Sequence, residues 1–152
     1  MTEARITLVV EDAAWRGHRG LLPKLTRAAA AAARAAKLPA KSRFTILLAD
    51  NPRLKALNRN FRGKNRPTNV LSFPAQGREY AGDIALAYGV TRDEALKAKK
   101  PFAAHAMHLV VHGVLHLAGY DHMTERDAGV MEPLETKILA RLGVPDPYEA
   151  DA

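Results

Sequence analysis

LVVHGVLHLAGYDH, residues 109–122, is the stretch on which the reading of this chain turns. Its apolar run reads as the interior of a buried helix, and within it His112 and His116 stand four residues apart. On a helix that spacing puts two imidazoles on one face, with Cβ atoms about 6 Å apart. Both rings can then reach one zinc ion at roughly 2.0–2.1 Å. Gly119 follows three residues later and suits a left-handed helix exit. The chain can therefore turn back and bring His122 to the same ion. Three imidazoles leave a fourth position open to water, which is the arrangement of a catalytic zinc rather than a structural one. One zinc per chain, held by His112, His116 and His122, is the expectation.

The spacing matches the H-E-x-x-H-x-x-G-x-x-H metalloprotease pattern with one departure. Gly113 stands where that pattern has its general-base glutamate, and a peptidase of this type is badly crippled without it. Two further stretches accompany the histidines: RGKNRPTNVLSFP at 62–74 and GDIAL at 82–86. Together with HGVLHLAGYDH they resemble the YbeY family of bacterial zinc-dependent endoribonucleases. The resemblance runs over most of the chain and is weakest before residue 40 and after 143. It implies a small mixed sheet packed against helices, with the zinc at the end of a central helix. It also implies action on ribosomal RNA, including maturation of the 16S rRNA 3′ end, and a part in ribosome quality control.

Composition is consistent with such a partner. The chain has 152 residues, a formal charge of +7 and no cysteine. That length suits one domain, 1–152, with a core that needs no staples and with 145–152 as a flexible tail. Lack of cysteine excludes disulfides and thiolate metal sites and accords with a reducing cytosol. Neither a signal peptide nor an apolar span of membrane length is apparent, so a soluble, cytoplasmic protein without membrane attachment is expected. A basic balance favours polyanions, because neutralised phosphates release counterions. The excess is concentrated: Arg53, Lys55, Arg59, Arg62, Lys64 and Arg66 fall between Pro52 and Arg66 with no acidic residue among them.

The remaining chain reads as short strands alternating with helices. Ile6–Val10 is a first strand; Trp15, Arg16 and His18 fall in a loop with no assigned role. Leu21–Leu38 is an alanine-rich helix that stops before Pro39, and Arg43–Ala49 is a second strand. Asp50 or Asn51 caps a helix with Pro52 in its first turn, Leu54, Leu57 and Phe61 on one side and the basic residues on the other. Asn69–Phe73 and Asp83–Ala87 are the third and fourth strands. Thr91 caps TRDEALKAKK, Pro101 and Phe102 open the histidine helix, and Thr124 and Glu125 begin a last helix to about Leu142 that contains Pro133. About four strands and about five helices, with some connections too short for parallel crossovers, indicate an α+β domain.

Arg62 is the candidate catalytic cation, since a guanidinium can grip two phosphate oxygens. Its choice over Arg59 rests on the resemblance, through the RGK at Arg62, Gly63 and Lys64. Arg59, Lys64 and Arg66 are assigned to the RNA backbone, where contacts add affinity without sequence information. His105 and His108 read as packed, or as supporting the ligands. Asp121 serves either to orient a ligand imidazole or to form a turn. Ser72 and Asp83 lie in the shared motifs, with no metal-free histidine evidently paired to make Ser72 a nucleophile. Thr68 and Asn69 shape a cleft. The reading is a single-strand-preferring, zinc-dependent endoribonuclease with RNA and ribosomal particles as partners. Its rivals are a metallopeptidase or other zinc hydrolase, and a non-catalytic RNA- or ribosome-binding protein with structural zinc.

Overall fold

In the second strand of the computed structural model, alternate side chains go to opposite sides. Phe44, Ile46 and Leu48 are buried on one face, and Ala49, with the partly buried Leu47, on the other. A strand covered on both faces lies inside a sheet with helices above and below. The described residues are 5–75, 79–120 and 124–148. They form β1 (Arg5–Val10), α1 (Leu21–Ala35), β2 (Arg43–Ala49), α2 (Asn51–Arg62), β3 (Val70–Pro74), β4 (Tyr80–Ala87), α3 (Tyr88–Lys97), α4 (Phe102–Leu117) and α5 (Glu125–Arg141). A short 3-10 helix, Ala13–Gly17, follows β1.

The strand order is β1-β2-β4-β3. β1 pairs with β2 and β2 with β4 in parallel, while β3 runs antiparallel to β4 as the edge. The mixed α+β architecture expected from the sequence is therefore present. α1 makes the crossover between the first two strands, and its Leu21, Leu25, Ala28, Ala29, Ala32 and Ala33 are buried. The alanines allow a close approach to α4, which is buried along most of its length through Ala106, Val110, Val111, Val114 and Leu115. Across the sheet, Leu54 of α2 packs on Leu71, Ala85 and Ala87. Asp50 caps α2 as expected, its carboxylate accepting from the amide of Arg53 at 2.9 Å. Among the described residues no helix is long and apolar enough to cross a membrane.

Several details differ from the expectation. The fourth strand begins at Tyr80 rather than Asp83, because pairing runs back to Tyr80 along β2 and to Gly82 along β3. The alanine helix ends at Ala35 rather than Leu38, because Lys37 turns left-handed (φ 60°) and the Leu38 amide bonds back to the Ala33 carbonyl at 3.0 Å. α3 begins at Tyr88, so Thr91 is inside it rather than at its cap; the Thr91 hydroxyl donates to the Ala87 carbonyl at 2.7 Å. Trp15, read as a loop residue, is fully buried. Its indole N–H donates to the Ala49 carbonyl at 2.9 Å, and its ring meets Tyr88 edge-on at 5.4 Å.

Candidate active site

α4 delivers the two histidines to one end of the sheet. The left-handed Gly119 (φ 101°) ends the turn beyond it, and the Tyr120 amide bonds to the Leu115 carbonyl at 3.0 Å. The His112 and His116 rings are 4.7 Å apart, with their Nε2 atoms 3.1 Å from one another. Two nitrogens at about 2.0–2.1 Å from one tetrahedral ion are about 3.3 Å apart. The pair thus has the separation of two ligands converging on a single metal. His122, expected as the third ligand, and Asp121 lie outside the described residues. Among the described residues no group of three or more histidine, aspartate or glutamate side chains is arranged so that it could hold a metal ion.

Gly113 has a packing reason. A Cβ at this position would lie 2.9 Å from Ile84 Cγ2 and 3.3 Å from Ser72 Oγ. Position 113 therefore faces the sheet, and a glutamate there would enter the β3–β4 face rather than stand beside the histidines. Ser72 uses this closeness: its hydroxyl donates to the Gly113 carbonyl at 3.1 Å. The Ser72 carbonyl accepts a 2.7 Å bond from Arg62 Nη2. One serine on β3 thus ties the arginine of α2 to the histidine helix. Sequence reading placed Ser72 in a motif without seeing this bridge.

Arg62 is the last residue of α2, where Gly63 turns the chain left-handed (φ 69°). Its guanidinium carbon lies 5.7 Å from the centre of the Phe73 ring, a cation–π contact. Arg62, Lys64, Arg66, Thr68, His112 and His116 line one cleft of about 630 Å³. Arg59 is exposed one turn back on α2 and is not among the residues lining it. Buried Asn58 holds the basic loop through a 2.9 Å bond to the Arg66 carbonyl. Asn69 bonds Glu94 at 3.0 Å, and Glu94 in turn meets His105 Nε2 at 2.9 Å. His105 is thereby engaged on the α3 side.

Behind the histidines is a carboxylate that sequence reading missed. Glu135 of α5 is fully buried. Its oxygens meet His108 Nε2 at 2.7 Å and His112 Nδ1 at 3.3 Å, and accept from the Tyr148 hydroxyl at 3.0 and 3.1 Å. Burial alone would push this carboxyl up. The hydrogen bonds and charge of His108 and His112 outweigh it and hold the group down at about 2. Tyr148 is pushed up by burial and by the neighbouring Glu135 carboxylate, so its hydroxyl keeps the proton it donates. The signal in the sequence was a lone acid at an apolar spacing, with Met131, Ile138 and Leu139 as its buried neighbours on the helix. Residues 146–148, within the stretch expected to be a flexible tail, are tied down. Lys100 Nζ donates to the Pro147 carbonyl at 2.6 Å, and Thr136 Oγ1 to Asp146 at 3.2 Å.

Comparison with known proteins agrees with this architecture. The chain is 46% identical to a protein of Bradyrhizobium diazoefficiens named Endoribonuclease YbeY, over 97% of this chain and 85% of the relative. A protein of the same name from Cereibacter sphaeroides is 43% identical, over 96% of this chain and 99% of the relative. The solution structure of TM1509 from Thermotoga maritima shares the fold, with a TM-score of 0.64 at 24% sequence identity, covering 95% of this chain and 99% of that one. The family model described as Endoribonuclease YbeY matches residues 18–143. On that match and the identity to its named members, the chain belongs to the Endoribonuclease YbeY family.

Proposed function

We propose that this protein is a zinc-dependent endoribonuclease that cuts single-stranded RNA, with ribosomal RNA, including the 3′ end of 16S rRNA, as its substrate in the cytoplasm. The observation that carries this reading is the shared cleft, which brings Arg62, Lys64 and Arg66 together with the paired His112 and His116. The names of the relatives and the motifs at 62–74 and 112–122 support it. A zinc ion held by His112 and His116, with His122 as third ligand by its spacing, would supply Lewis acidity and a water activated near neutral pH.

The chain's own residues have separable tasks. Lys64 and Arg66 are exposed cations on the cleft wall and attract the phosphate backbone. Arg62 spends one guanidinium N–H on the Ser72 carbonyl, which fixes its plane while leaving further donors for a phosphate oxygen. A cation held in place costs no reorganisation as negative charge grows on the phosphoryl oxygens. Gly113 offers no proton acceptor. Attack by water would leave ordinary phosphate ends and attack by the ribose 2′-OH a cyclic phosphate; analysis of the product ends separates the two. The metallopeptidase alternative has less to recommend it, since position 113 faces Ile84 rather than the histidines.

The test is cleavage of a labelled single-stranded RNA by zinc-stripped and zinc-restored protein. Cutting that disappears on stripping and returns with zinc is the expected result. Equal cutting in both states would overturn it. RNA binding without any cutting by zinc-loaded protein would favour a binding module with structural zinc. In the same assay Arg62→Ala should lower the rate by roughly 10²- to 10³-fold, the cost of removing one preorganised donor. Arg62→Lys should recover only part of it, because an ammonium cannot reproduce the guanidinium fork.

A further inference from the structure

We propose that Glu135 is a positioning residue for the metal centre: its buried carboxylate, clasped by Tyr148 of the C-terminal segment, sets the orientation and tautomer of His112. The inference rests on the zinc reading above and goes beyond it, since Glu135 lies outside the motifs at 62–74, 82–86 and 112–122.

The two ring nitrogens of His112 have different neighbours. Nδ1 faces Glu135 Oε1 at 3.3 Å, while Nε2 lies 3.1 Å from Nε2 of His116. A proton on Nδ1 satisfies the carboxylate and leaves the Nε2 lone pair toward the site where a metal would sit. The opposite tautomer would set a bare nitrogen against a carboxylate and turn an N–H toward the ion. In a fully buried site that repulsion is not screened by water, so the tautomer with the proton on Nδ1 is favoured.

The carboxylate is itself held from three directions. Met131, Ile138 and Leu139 bury α5 beside it. His108, one turn before His112 on α4, donates from Nε2 to the other oxygen, Oε2, at 2.7 Å. Tyr148 then caps both oxygens from the C-terminal side at 3.0 and 3.1 Å. That tyrosine is fixed in turn, its amide bonding Asp146 at 2.9 Å and the adjacent Pro147 carbonyl accepting from Lys100. A free carboxylate could swing away from His112; this one cannot without breaking bonds to α4 and to the C-terminal segment.

The test is Glu135→Gln in the full chain, which keeps shape and removes the charge and one acceptor. Zinc affinity is read by chelator competition, the ligand field by the visible spectrum of the cobalt-substituted protein, and folding by circular dichroism. Affinity should fall by roughly 10- to 100-fold, the range for residues behind a metal ligand. The cobalt bands should shift while the fold stays intact. Wild-type protein that holds no zinc would overturn the metal reading, and this inference with it. Zinc-binding wild type and a variant of equal affinity with unchanged cobalt bands would overturn this inference alone. Should Glu135→Gln fail to fold, histidine-selective ¹⁵N spectra of zinc-loaded wild type decide the matter. Protonated Nδ1 and metal-bound Nε2 on His112 are expected, and Nδ1 coordination would overturn the proposal.

Discussion

Cleavage of single-stranded RNA by the His116→Ala protein is expected to fall by about three orders of magnitude or more, and added zinc should not restore it. Removing one imidazole of an i, i+4 pair would take away a proposed zinc ligand that the neighbouring histidines of α4, already engaged, do not replace. His105 is engaged by Glu94 of α3 and His108 by Glu135 of α5. A metal contributes several kcal/mol of charge stabilisation to phosphoryl chemistry, and about 4 kcal/mol corresponds to a thousandfold in rate. The fold should survive, since His116 is only half-buried near the end of α4, and such substitutions typically cost about 1 kcal/mol. Initial rates on labelled RNA, with wild type purified in parallel, and a thermal melt of both proteins check the two halves of this expectation. A variant that cuts as fast as wild type would place the activity elsewhere, or in a contaminant.

What the sequence makes legible is what local periodicity encodes. Phe44, Ile46 and Leu48 announce a strand, Asp50 followed by Pro52 announces a helix start, and the apolar run around His112 announces a buried helix. The strand order is of another kind. The parallel pairing of β1 with β2 and of β2 with β4 depends on how α1 and α4 pack on the sheet, and no window of sequence contains that information. Trp15 was missed for the same reason, because its partners Ala49, Tyr88 and Phe102 all come from later in the chain. Thr91 misled because a hydroxyl four residues into a helix can bond back to the preceding turn as readily as it can cap.

The site divides along the same line. His112 and His116 lie one helical turn apart, so spacing alone brings them together. Arg62 among six cations was distinguishable only by resemblance, and its physical distinction, the bond to Ser72, is a contact between α2 and β3. Glu135 was out of reach because its three partners sit on α4 and in the C-terminal segment. A single acid in an apolar stripe is a weak local signal, and its meaning appears only when the donors around it are known.

Gly113→Glu, the change that completes the metalloprotease pattern, is expected to destabilise the fold by about 4 kcal/mol or more and to create no peptidase. On helix propensity alone, glycine inside a helix is about 1 kcal/mol worse than alanine, so some other interaction must favour it here. The sheet is that interaction. Even a Cβ would press on Ile84 at 2.9 and 3.3 Å and on the Ser72 hydroxyl at 3.3 Å. Overpacking of this kind costs roughly 1–3 kcal/mol, and a carboxylate buried without a partner adds several more. The Ser72–Gly113 bond would also be strained, loosening the strand that holds Arg62. Chemical denaturation of the zinc-loaded variant should therefore show a large loss of stability or no folded baseline, and a casein assay no hydrolysis above background. A variant as stable as wild type would mean that position 113 has room on its sheet side. In that case the glycine would owe its place to something other than the close approach of α4 to β3 and β4, and the bridge from Arg62 through Ser72 to the histidine helix would have to be looser than these distances require.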